Sequence, residues 1–439
     1  MKYSIEPKPK AGSRRSARDA GRSSDGLMAQ ALGGQLASLR EGRITLADGE
    51  RTESYGGRGA PSLSAAVTVH DRRFYRDVVF GGSLGAAESY IRGRWSCSDL
   101  TTLCRIFARN LNLSDGMEKG WARLPATAAK LFHWLHRNTR SGSARNIGAH
   151  YDLGNDFYQL FLDETMTYSC GIFEEESSTL EEASIAKLDR MCQKLDLRPD
   201  DHVLEIGTGW GGWAIHAAGR YGCRVTSTTI SKEQYSWAVD RVRRQGLENR
   251  VEILLRDYRD LEGLYDKAVS IEMIEAVGHE FLGDYFAKVS SLLKPDGLFA
   301  LQGITVTDRR YEQYRRGVDF IQRFVFPGSC LTSVSAMFRA AAERSDMQPI
   351  HFEDIAPHYA RTLLEWRRRF LANLHRVREL GYSEEFIRLW EYYLCYCEAG
   401  FLERHVGNAQ LVLAKPRNRR EPIAPMFDSA LGKRSTTAA

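Results

Sequence analysis

The spacing of apolar and polar positions divides the chain into a short N-terminal part and a long C-terminal part. Residues 1–25 hold almost no large apolar side chains, which predicts a disordered basic tail. From residue 65, AAVTVH alternates apolar and polar positions as a half-buried strand does, and residues 83–110 carry apolar side chains at helical spacing. This pattern predicts a small α+β domain over residues 26–120.

The rest of the chain follows a different pattern. Residues 121–146 have Leu, Phe and Trp at amphipathic spacing and end in a Ser-, Gly- and Arg-rich stretch, which predicts a helical linker. Strand and helix signals then alternate over residues 147–415, which is typical of an α/β domain with a Rossmann-like fold. Residues 416–439 are polar and basic, and they are predicted to form a second tail.

A glycine-rich turn supplies the strongest local signal in the α/β domain. The apolar run HVLEI leads into GTGWGG, residues 207–212, and then into a helical pattern. Glycine lets the backbone turn tightly beside a ligand, and the N-terminus of the following helix offers free N–H groups. With Glu205 ahead of Gly207, Gly209 and Gly211, the stretch has the form typical of S-adenosylmethionine (SAM) methyltransferases.

The sequence of the strand that follows the turn distinguishes SAM from the main alternative ligand, a dinucleotide. A dinucleotide-binding enzyme carries Asp or Glu at the end of this strand to bind a ribose. Here CRVTSTTIS ends in Thr228, Thr229 and Ser231, with Gln234 in the next helical pattern. The sequence therefore favours SAM, and a glycine turn that binds nothing is the remaining alternative.

Composition adds a few constraints. The 439 residues carry a net charge of +5, which suits an acidic partner such as nucleic acid or anionic lipid. The eight cysteines form no CxxC pair, so no metal site is expected and the thiols are expected to be reduced. Because the sequence has neither a signal-peptide core nor an apolar run of about 18–20 residues, the protein is predicted to be cytoplasmic.

Two residues stand out from otherwise apolar stretches. Glu275 lies in MIEAVG, directly after the strand-like run KAVSIE, where an unpaired carboxylate is costly to bury. Cys170 lies in MTYSCGIF among aromatic and small residues. From residue type alone each has a catalytic and a structural interpretation, the structural ones being a capping or ion-paired glutamate and a buried thiol.

An ordered set of motifs lies between residues 151 and 401, within a longer stretch, 65–415, over which the chain resembles one protein family. It comprises YDLGNDFY, MTYSCGIF, EIGTGWGG, TISKEQ, RDYRD, MIEAVGHE, FIQRFVFPGSCLTS, HYARTLLEWRRRF and YYLCYCEAGF. In this order the motifs resemble the cyclopropane-fatty-acyl-phospholipid synthase family, which includes mycolic acid cyclopropane synthases and fatty-acid methyltransferases. The resemblance implies a class I SAM-dependent methyltransferase fold, with a small N-terminal domain similar to the family's lipid-binding domain.

The implied reaction transfers a methylene group from SAM to the cis double bond of an unsaturated phospholipid acyl chain. Attack by the alkene gives a cation, and a base must then remove a proton from the new methyl group for the ring to close. In this family the expected base is a bound bicarbonate ion. The pocket implied for it comprises Cys170, Glu275 and Tyr359, and Glu353 is expected to orient the tyrosine.

Two further positions bear on the implied site. Many family members have His where the strand LFALQGITV has Gln302, and an amide can form hydrogen bonds there but carries no charge. Cys397 in YCEAGF matches a position that the family has long treated as an active-site cysteine. The mechanism requires no thiol nucleophile, so a buried structural cysteine is the alternative.

The resemblance also implies how SAM is bound. The three glycines would face the methionine and the sugar. The other implied contacts are Tyr168 and Ser169 beside the methionine moiety, Thr229 and Gln234 beside the ribose, and Asp257 and Tyr258 beside the adenine.

The implied substrate lies in a bilayer, which bears on partners and location. The protein is expected to bind membrane phospholipids as a peripheral protein at the inner membrane surface, with no nucleic-acid partner. A homodimer is expected, since two membrane-binding units bind better than one. In TLLEWRRRFLANLHRVREL, Leu363, Trp366, Phe370 and Leu374 share one side of a predicted helix, which faces either a membrane or the protein core.

Three other functions remain open. A hydride shift on the same cation gives a methyl- or methylene-branched chain, and the motifs do not separate this product from the ring. A lipid-binding homologue without catalysis would not require the glycine turn together with Cys170, Glu275 and Tyr359. A small-molecule methyltransferase would have no evident use for the N-terminal domain.

Overall fold

The computed structural model of the chain describes residues 14–57, 62–110, 138–139, 153–421 and 423. These residues fall into two units. The first unit takes the described residues up to 110 together with 316–325 and 363–405. The second takes the described residues from 138 to 315 together with 326–362 and those from 406 onward.

Strands and helices follow one another along both units. The strands, in chain order, are β1 (Arg43–Asp48), β2 (Arg51–Gly56), β3 (Ser64–Val69), β4 (Trp95–Cys97), β5 (His202–Ile206), β6 (Arg224–Thr229), β7 (Val251–Leu255), β8 (Tyr265–Ile271), β9 (Leu293–Val306), β10 (Gln348–Asp354) and β11 (Val406–Ala414). The α-helices are α1 (Arg14–Leu36), α2 (Arg73–Ile91), α3 (Leu100–Arg109), α4 (Asn155–Tyr158), α5 (Leu180–Leu195), α6 (Gly212–Tyr221), α7 (Lys232–Arg244), α8 (Leu282–Ser291), α9 (Asp308–Tyr314), α10 (Phe320–Phe324), α11 (Val334–Arg344), α12 (Ala356–Ala372), α13 (Leu374–Glu379) and α14 (Glu384–Leu402). Short 3₁₀ helices cover Tyr258–Asp260, Ile274–Ala276 and His279–Phe281.

The first unit contains a four-stranded sheet in the order β2-β1-β3-β4. Along β3 buried and exposed positions alternate strictly, so that Ala65, Val67 and Val69 face the core. The alternation in AAVTVH therefore predicted this strand correctly. Helix α3 also lies within the stretch that was predicted to be helical, and Asp99 caps its N-terminus by accepting from the Thr102 N–H.

Helix α1 begins at Arg14, inside the segment 1–25 for which the sequence predicts a disordered tail. Its second half is anchored by Leu32 and Leu36, which are both buried. A helix that is nucleated by such contacts can extend through residues 14–25, where four Arg and two Ala favour helix, although Gly21 and the Ser and Asp residues of this stretch disfavour it. The structure thus replaces the predicted tail with helix from residue 14, and residues 1–13 lie outside the described residues.

The second unit contains a seven-stranded sheet in the order β10-β11-β9-β8-β5-β6-β7. Strands β7, β6, β5, β8 and β9 run parallel, whereas β11 and β10 are antiparallel to their neighbours. Neighbouring residues of β5 belong to different apolar clusters, Val203 packing with α5, α6 and α7 and Leu204 packing with α8 and α11. Helices therefore cover both faces of the sheet, and the predicted α/β class is confirmed.

The predicted catalytic domain, 147–415, is not one continuous run in the structure. Residues 316–325 and 363–405 belong to the first unit, where Tyr392 packs against Phe320 and Tyr90. Local periodicity does not indicate such an insertion, because a helix has the same pattern whichever unit it packs in. The predicted linker, 121–146, lies outside the described residues except for 138 and 139.

The apolar side of helix α12, for which the sequence allows either a membrane or the protein core, lies in the core. Leu363, Trp366 and Phe370 on α12 are each at most 1% exposed. Of the two interpretations of this helix, core packing is therefore the one the structure supports. Within the part of the chain that the structure describes, no helix is both long enough and apolar enough to cross a membrane.

The capping box at the start of α5 generates a stability prediction, because α5 carries charged residues towards the glycine turn. The Thr179 hydroxyl accepts from the Glu182 N–H at 3.2 Å, and Glu182 accepts from the Thr179 N–H at 2.7 Å. Replacing Thr179→Ala removes this reciprocal cap and should lower the free energy of unfolding by about 1 kcal/mol. Denaturant unfolding monitored by tryptophan fluorescence measures the change.

The control is Glu181→Gln, since Glu181 is exposed in the same turn but takes no part in the box. It should change the unfolding free energy by less than about 0.5 kcal/mol. Equal effects of the two substitutions would show that the box is not what stabilises this helix end.

Candidate functional site

The glycine turn joins β5 to α6 in a backbone conformation that suits glycine. Gly207, Gly209 and Gly211 have φ values of 101°, 52° and 84°. The N–H groups of Gly207 and Thr208 donate to the Thr228 carbonyl, each at 3.0 Å, which fixes the turn on the edge of β6. Among the described residues other than its chain neighbours, none has an atom within 4 Å of the position where a Cβ of Gly209 would stand, so these residues leave open space at that point.

Glu205 precedes the turn and is buried at the end of β5. The Ser227 hydroxyl lies between this carboxyl and the Thr208 hydroxyl, with a distance of 2.7 Å between the two hydroxyl oxygens. Burial raises the pKa of Glu205 to about 8, so the group is protonated at neutral pH. A neutral carboxyl group at this point supports the turn without placing an unpaired charge in the sheet.

The end of β6 carries hydrogen-bonding side chains but no carboxylate. The Thr229 hydroxyl donates to Gln234 Oε1 at 3.0 Å, and both residues are buried. Ser231 caps α7 by accepting from the Gln234 N–H at 3.3 Å. The strand end thus lacks the ribose-binding acid of a dinucleotide enzyme, as the sequence indicated.

Asp257 and Tyr258 follow β7. The carboxylate of Asp257 accepts from two nitrogens of Arg259, at 2.9 and 2.6 Å. The Tyr258 ring meets the Tyr285 ring edge-on with 5.4 Å between centroids, and burial raises the pKa of the Tyr258 hydroxyl to about 12. The adenine contact assigned to these residues stays a prediction.

Tyr168 and Ser169 lie on the segment that precedes α5. The Tyr168 ring meets the Tyr158 ring edge-on at 5.3 Å, and Tyr158 in turn lies 4.9 Å from the ring of Trp210 in the glycine turn. The Ser169 hydroxyl accepts from Lys187 Nζ at 2.8 Å. The aromatic contacts therefore place this segment beside the turn.

Lys187 is a site residue that sequence reasoning missed. It is 1% exposed, and burial lowers the pKa of its ammonium group to about 8, while the negative charge of Glu272 opposes this shift. The sequence pattern that could have identified Lys187 is its position four residues from Ala183 and four from Met191, on the apolar face of α5. A lysine on that face must be paired or functional.

Glu272 is the second residue that was missed, and hydrogen bonds from four separate segments converge on it. Its Oε1 accepts from the Cys170 N–H at 3.1 Å, from Gln302 Nε2 at 2.8 Å and from Asn408 Nδ2 at 2.6 Å. Its Oε2 accepts from the Tyr359 hydroxyl at 2.6 Å. Three of the four donors are residues that the sequence assigned to an anion pocket.

Glu275 lies one turn further along, in the 3₁₀ helix Ile274–Ala276. Its Oε1 accepts from the Ile304 N–H, and its Oε2 is buried with no hydrogen-bond partner among the described residues. Burial, followed by the charge of Glu272, raises the pKa of Glu275 to about 8. At neutral pH the site therefore holds a protonated carboxyl group close to a second carboxyl group.

Cys170 contributes its backbone rather than its thiol. The thiol is fully buried and donates to the Gly171 carbonyl at 3.2 Å. Burial raises its pKa well above the usual value, and the charge of Glu272 raises it further. These surroundings disfavour a thiolate, so Cys170 is not suited to act as a nucleophile.

Glu353 does not orient Tyr359, contrary to the expectation from sequence. Its carboxylate accepts from Arg190 and from Lys194, and Tyr359 donates to Glu272 instead. Burial opposes ionisation of Glu353, but the hydrogen bonds from Arg190 and Lys194 outweigh it and lower the pKa to about 2. Two cations on α5 thus bind Glu353. Its connection to the cluster around Glu272 runs through the hydrogen bonds of other side chains.

Those side chains form a chain of hydrogen bonds that ends at Glu272. Lys194 Nζ donates to Gln410 Oε1 at 2.6 Å, and Gln410 Nε2 donates to Gln302 Oε1 at 2.8 Å. Because the Gln302 oxygen is an acceptor here, its NH₂ group must point towards Glu272. Gln302 therefore has a fixed orientation, in which it presents a donor to the site.

Cys397 belongs to a different unit of the chain from the other predicted catalytic residues. It lies on α14, in the first unit, whereas the cluster around Glu272 is built entirely from the second unit. Burial raises the pKa of the Cys397 thiol far above its usual value. The structural interpretation of Cys397 is the one that fits a thiol with a raised pKa.

All eight cysteines are free thiols, as expected.

The residues of the second unit fit a SAM molecule. The turn has open space beside Gly209, whereas a Cβ on Gly207 would approach the Met273 side chain to 3.3 Å. The glycine turn and the segment that carries Glu272 and Glu275 are therefore neighbours. This follows from the sheet, because β5 and β8 are adjacent parallel strands whose carboxyl ends meet at one edge.

Comparisons with known proteins agree with this geometry. A model of the mycolic acid cyclopropane synthetase family matches residues 138–411. The tuberculostearic acid methyltransferase of Mycobacterium tuberculosis is 38% identical over 381 residues, which cover 85% of this chain and 87% of the relative. The cyclopropane-fatty-acyl-phospholipid synthase of Escherichia coli K12 is 35% identical over 364 residues, covering 81% of this chain and 89% of the relative.

Solved structures show the same relationship in three dimensions. A cyclopropane synthase from Mycobacterium tuberculosis superposes with a TM-score of 0.58 at 32% identity, covering 62% of this chain and 98% of that one. A mycolic acid cyclopropane synthase complexed with SAH and CTAB gives a TM-score of 0.59 with the same identity and coverage. The predicted class I SAM-dependent methyltransferase fold is thereby confirmed. The chain belongs to the mycolic acid cyclopropane synthetase family of SAM-dependent methyltransferases.

Proposed function

We propose that this protein transfers a carbon atom from the methyl group of SAM to the cis double bond of an unsaturated acyl chain in a membrane phospholipid, with a cyclopropane ring as the product. The observation that carries the substrate class is the length of the match to the Escherichia coli synthase. That match covers 81% of this chain, whereas residues 138–439 make up only about two thirds of it. The similarity therefore extends into the N-terminal part, beyond the 62% that the mycolic acid enzyme covers.

The second unit provides the groups that this reaction requires. When bound, SAM supplies an electrophilic methyl group to the alkene. The glycine turn, Ser169 and Thr229 would hold the donor at the carboxyl edge of the sheet. Protonated Glu275 supplies a neutral polar group beside the reacting region, whereas Glu272 presents a negative charge there.

Bicarbonate, the base that the family resemblance implies, does not fit the pocket as this chain builds it. Gln302 and Tyr359 donate to Glu272, and so does the backbone of Cys170. The donors expected to hold the anion are thus already engaged by a carboxylate of the protein. An additional anion would also meet the charge of Glu272 at close range.

A methyl- or methylene-branched chain is a second candidate product. The specific observation in its favour is the match to the tuberculostearic acid methyltransferase, which covers more of this chain than the match to the Escherichia coli synthase does. Both products arise from one cation and differ in whether a hydride shifts before the proton leaves. The proposed residues serve both outcomes.

A phospholipid substrate requires contact with a membrane, and we place that contact at the inner surface of a cytoplasmic membrane. In the first unit, Phe80 on α2 is 44% exposed and lines a surface hollow of about 330 Å³. Three arginines and two acids also line it: Arg92 is paired with Glu88 and Arg94 with Asp77, so Arg76 gives the hollow its excess positive charge. An apolar side chain among guanidinium groups suits the interface of an anionic bilayer. Two such surfaces in a homodimer would bind the membrane more strongly than one.

The product can be determined in a bacterium that lacks its own cyclopropane synthase, expresses this protein and is fed methionine with a trideuterated methyl group. We expect fatty acids that gain a carbon, resist mild hydrogenation and keep two of the three deuterium atoms, because ring closure removes one hydrogen from the transferred methyl. Mass spectrometry of the fatty acids reports all three properties. Cells without the gene are the control.

Other outcomes of this experiment separate the candidates. A methylene-branched chain would keep two deuterium atoms but take up hydrogen under mild conditions. A methylated alkene would keep three. Unchanged fatty acids in cells that contain folded, SAM-binding protein would contradict the proposed function.

The neutral state assigned to Glu275 generates a prediction about pH. The pKa of this group is raised from 4.5 to about 8 on folding, so its contribution to stability is fully present below pH 4.5 and is lost as the pH rises through 8. Glu275→Gln keeps a neutral side chain at every pH. The melting temperature of the variant should therefore rise relative to that of the wild type as the pH increases from 5 to 8. Above pH 8 the difference between the two melting temperatures should stay constant. Differential scanning fluorimetry across this range measures the gap.

Glu262→Gln is the matched control, because Glu262 is an exposed residue of the same unit. Its melting temperature should follow that of the wild type at each pH. A constant gap between Glu275→Gln and the wild type from pH 5 to pH 9 would show that Glu275 is ionised throughout.

A further inference from the structure

We infer that the carboxylate of Glu272 is the general base of this protein, and that it takes from the transferred methyl group the proton which bicarbonate is expected to take in the family. The inference rests on the proposed function and deepens it. The first observation behind it is the position of the carboxylate, which accepts hydrogen bonds from the groups that were predicted to bind an anion. Those donors are the Cys170 N–H, the Gln302 amide and the Tyr359 hydroxyl, and the Asn408 amide joins them.

The hydrogen bonds define which oxygen is available. Oε1 accepts from three donors, at 3.1, 2.8 and 2.6 Å, which is one donor more than its two lone pairs, so no lone pair of Oε1 is left for a proton. Among the described residues, Oε2 accepts from Tyr359 alone, at 2.6 Å. A carboxylate oxygen has two lone pairs, so one lone pair of Oε2 remains for a proton. Each of these four groups acts as a donor, which is the arrangement of an ionised carboxylate.

The backbone at Glu272 supports a functional role independently. Its φ is 50°, in the left-handed region that non-glycine residues rarely adopt. The Glu272 N–H donates to the Gln302 carbonyl at 2.8 Å, which continues the pairing of β8 with β9 and holds the residue in this conformation. Strained conformations of this kind cluster at functional sites, where the surrounding structure maintains them.

The surroundings of Glu272 connect it to the SAM site. Met273, the next residue, is the side chain that the Cβ of a residue at Gly207 would approach. Buried Lys187 donates to Ser169 at 2.8 Å, and the charge of Glu272 opposes the lowering of the Lys187 pKa by burial. A base at Glu272 therefore belongs to the same edge of the sheet as the methyl donor. Glu275, neutral at working pH, does not compete with it for the proton.

The step balances without another reactant. The π electrons of the alkene form a bond to the methyl carbon as its bond to sulfur breaks, which releases S-adenosylhomocysteine and leaves a cation on the second alkene carbon. Glu272 Oε2 then takes a proton from the methyl group. The electrons of that C–H bond form the second bond of the methylene bridge, which closes the ring. The proton passes from Glu272 to solvent before the next turnover.

The test uses the full-length protein, SAM and vesicles of an unsaturated phospholipid in buffer freed of carbon dioxide. Wild-type activity should change by less than about twofold when bicarbonate is added. Glu272→Gln should lose activity about 100-fold or more, the range for removal of a general base, while it binds SAM with unchanged affinity by calorimetry. Glu262→Gln, the exposed control, should keep wild-type activity and affinity.

Glu272→Gly gives the sharper result. Glycine suits the φ of 50° and leaves the four donors around an empty space of carboxylate size. This variant should be inactive in carbon dioxide-free buffer and should recover at least tenfold as bicarbonate is added, since the ion can now occupy the place of the side chain. Calorimetric binding of SAM confirms that the variant is folded.

The failures are distinguishable. Active wild-type enzyme that requires bicarbonate, or Glu272→Gln that keeps wild-type activity, overturns the role of Glu272 and leaves the proposed function standing. Wild-type protein that binds SAM but leaves every acyl chain unchanged overturns the proposed function and this inference with it. Bicarbonate-independent wild type together with bicarbonate-dependent Glu272→Gly supports both.

Discussion

The site depends on one carboxylate, that of Glu272, which holds four segments of the chain together. Glu272 accepts from the loop before α5, from β9, from β11 and from the first turn of α12. A buried donor that loses its acceptor costs roughly 1–3 kcal/mol, so these hydrogen bonds make Glu272 important for stability. The same hydrogen bonds therefore both stabilise the second unit and set the positions of Cys170, Gln302 and Tyr359, the residues that the sequence assigned to the reacting centre.

Much of the fold follows from the sequence because it is a matter of local pattern. Alternation predicted β3, and the strand–glycine–helix signal predicted β5, the turn and α6. Three of the residues assigned to the reacting centre, Cys170, Gln302 and Tyr359, do meet around one point. They could be found because each lies in a motif whose position in the fold is shared by the family.

The residues that the sequence did not yield are those whose role depends on distant partners. Glu272 ends an apolar run and looks like the solvent-facing end of a strand, and only the fold brings Asn408 to it. Lys187 is spaced along α5 like an apolar core residue, but its charged side chain is of the kind that usually lies on the surface. Glu353 was assigned to Tyr359 from its motif, whereas the cations on α5 bind it. Each error concerns a charge, because charges are placed by long-range contacts that periodicity does not contain.

The construction of the first unit from three stretches of chain limits how the protein can be divided. Helix α14 is bound to the N-terminal stretch through Tyr90 to Glu391 and through Thr101 to Glu398, at 2.9 and 3.0 Å. A fragment limited to the residues that the family model matches would keep this helix and lose the residues that cover it. Buried acids and aromatic rings would then be exposed to water. In evolution and in the laboratory, this protein can accordingly gain or lose its N-terminal stretch only together with compensating changes on α14.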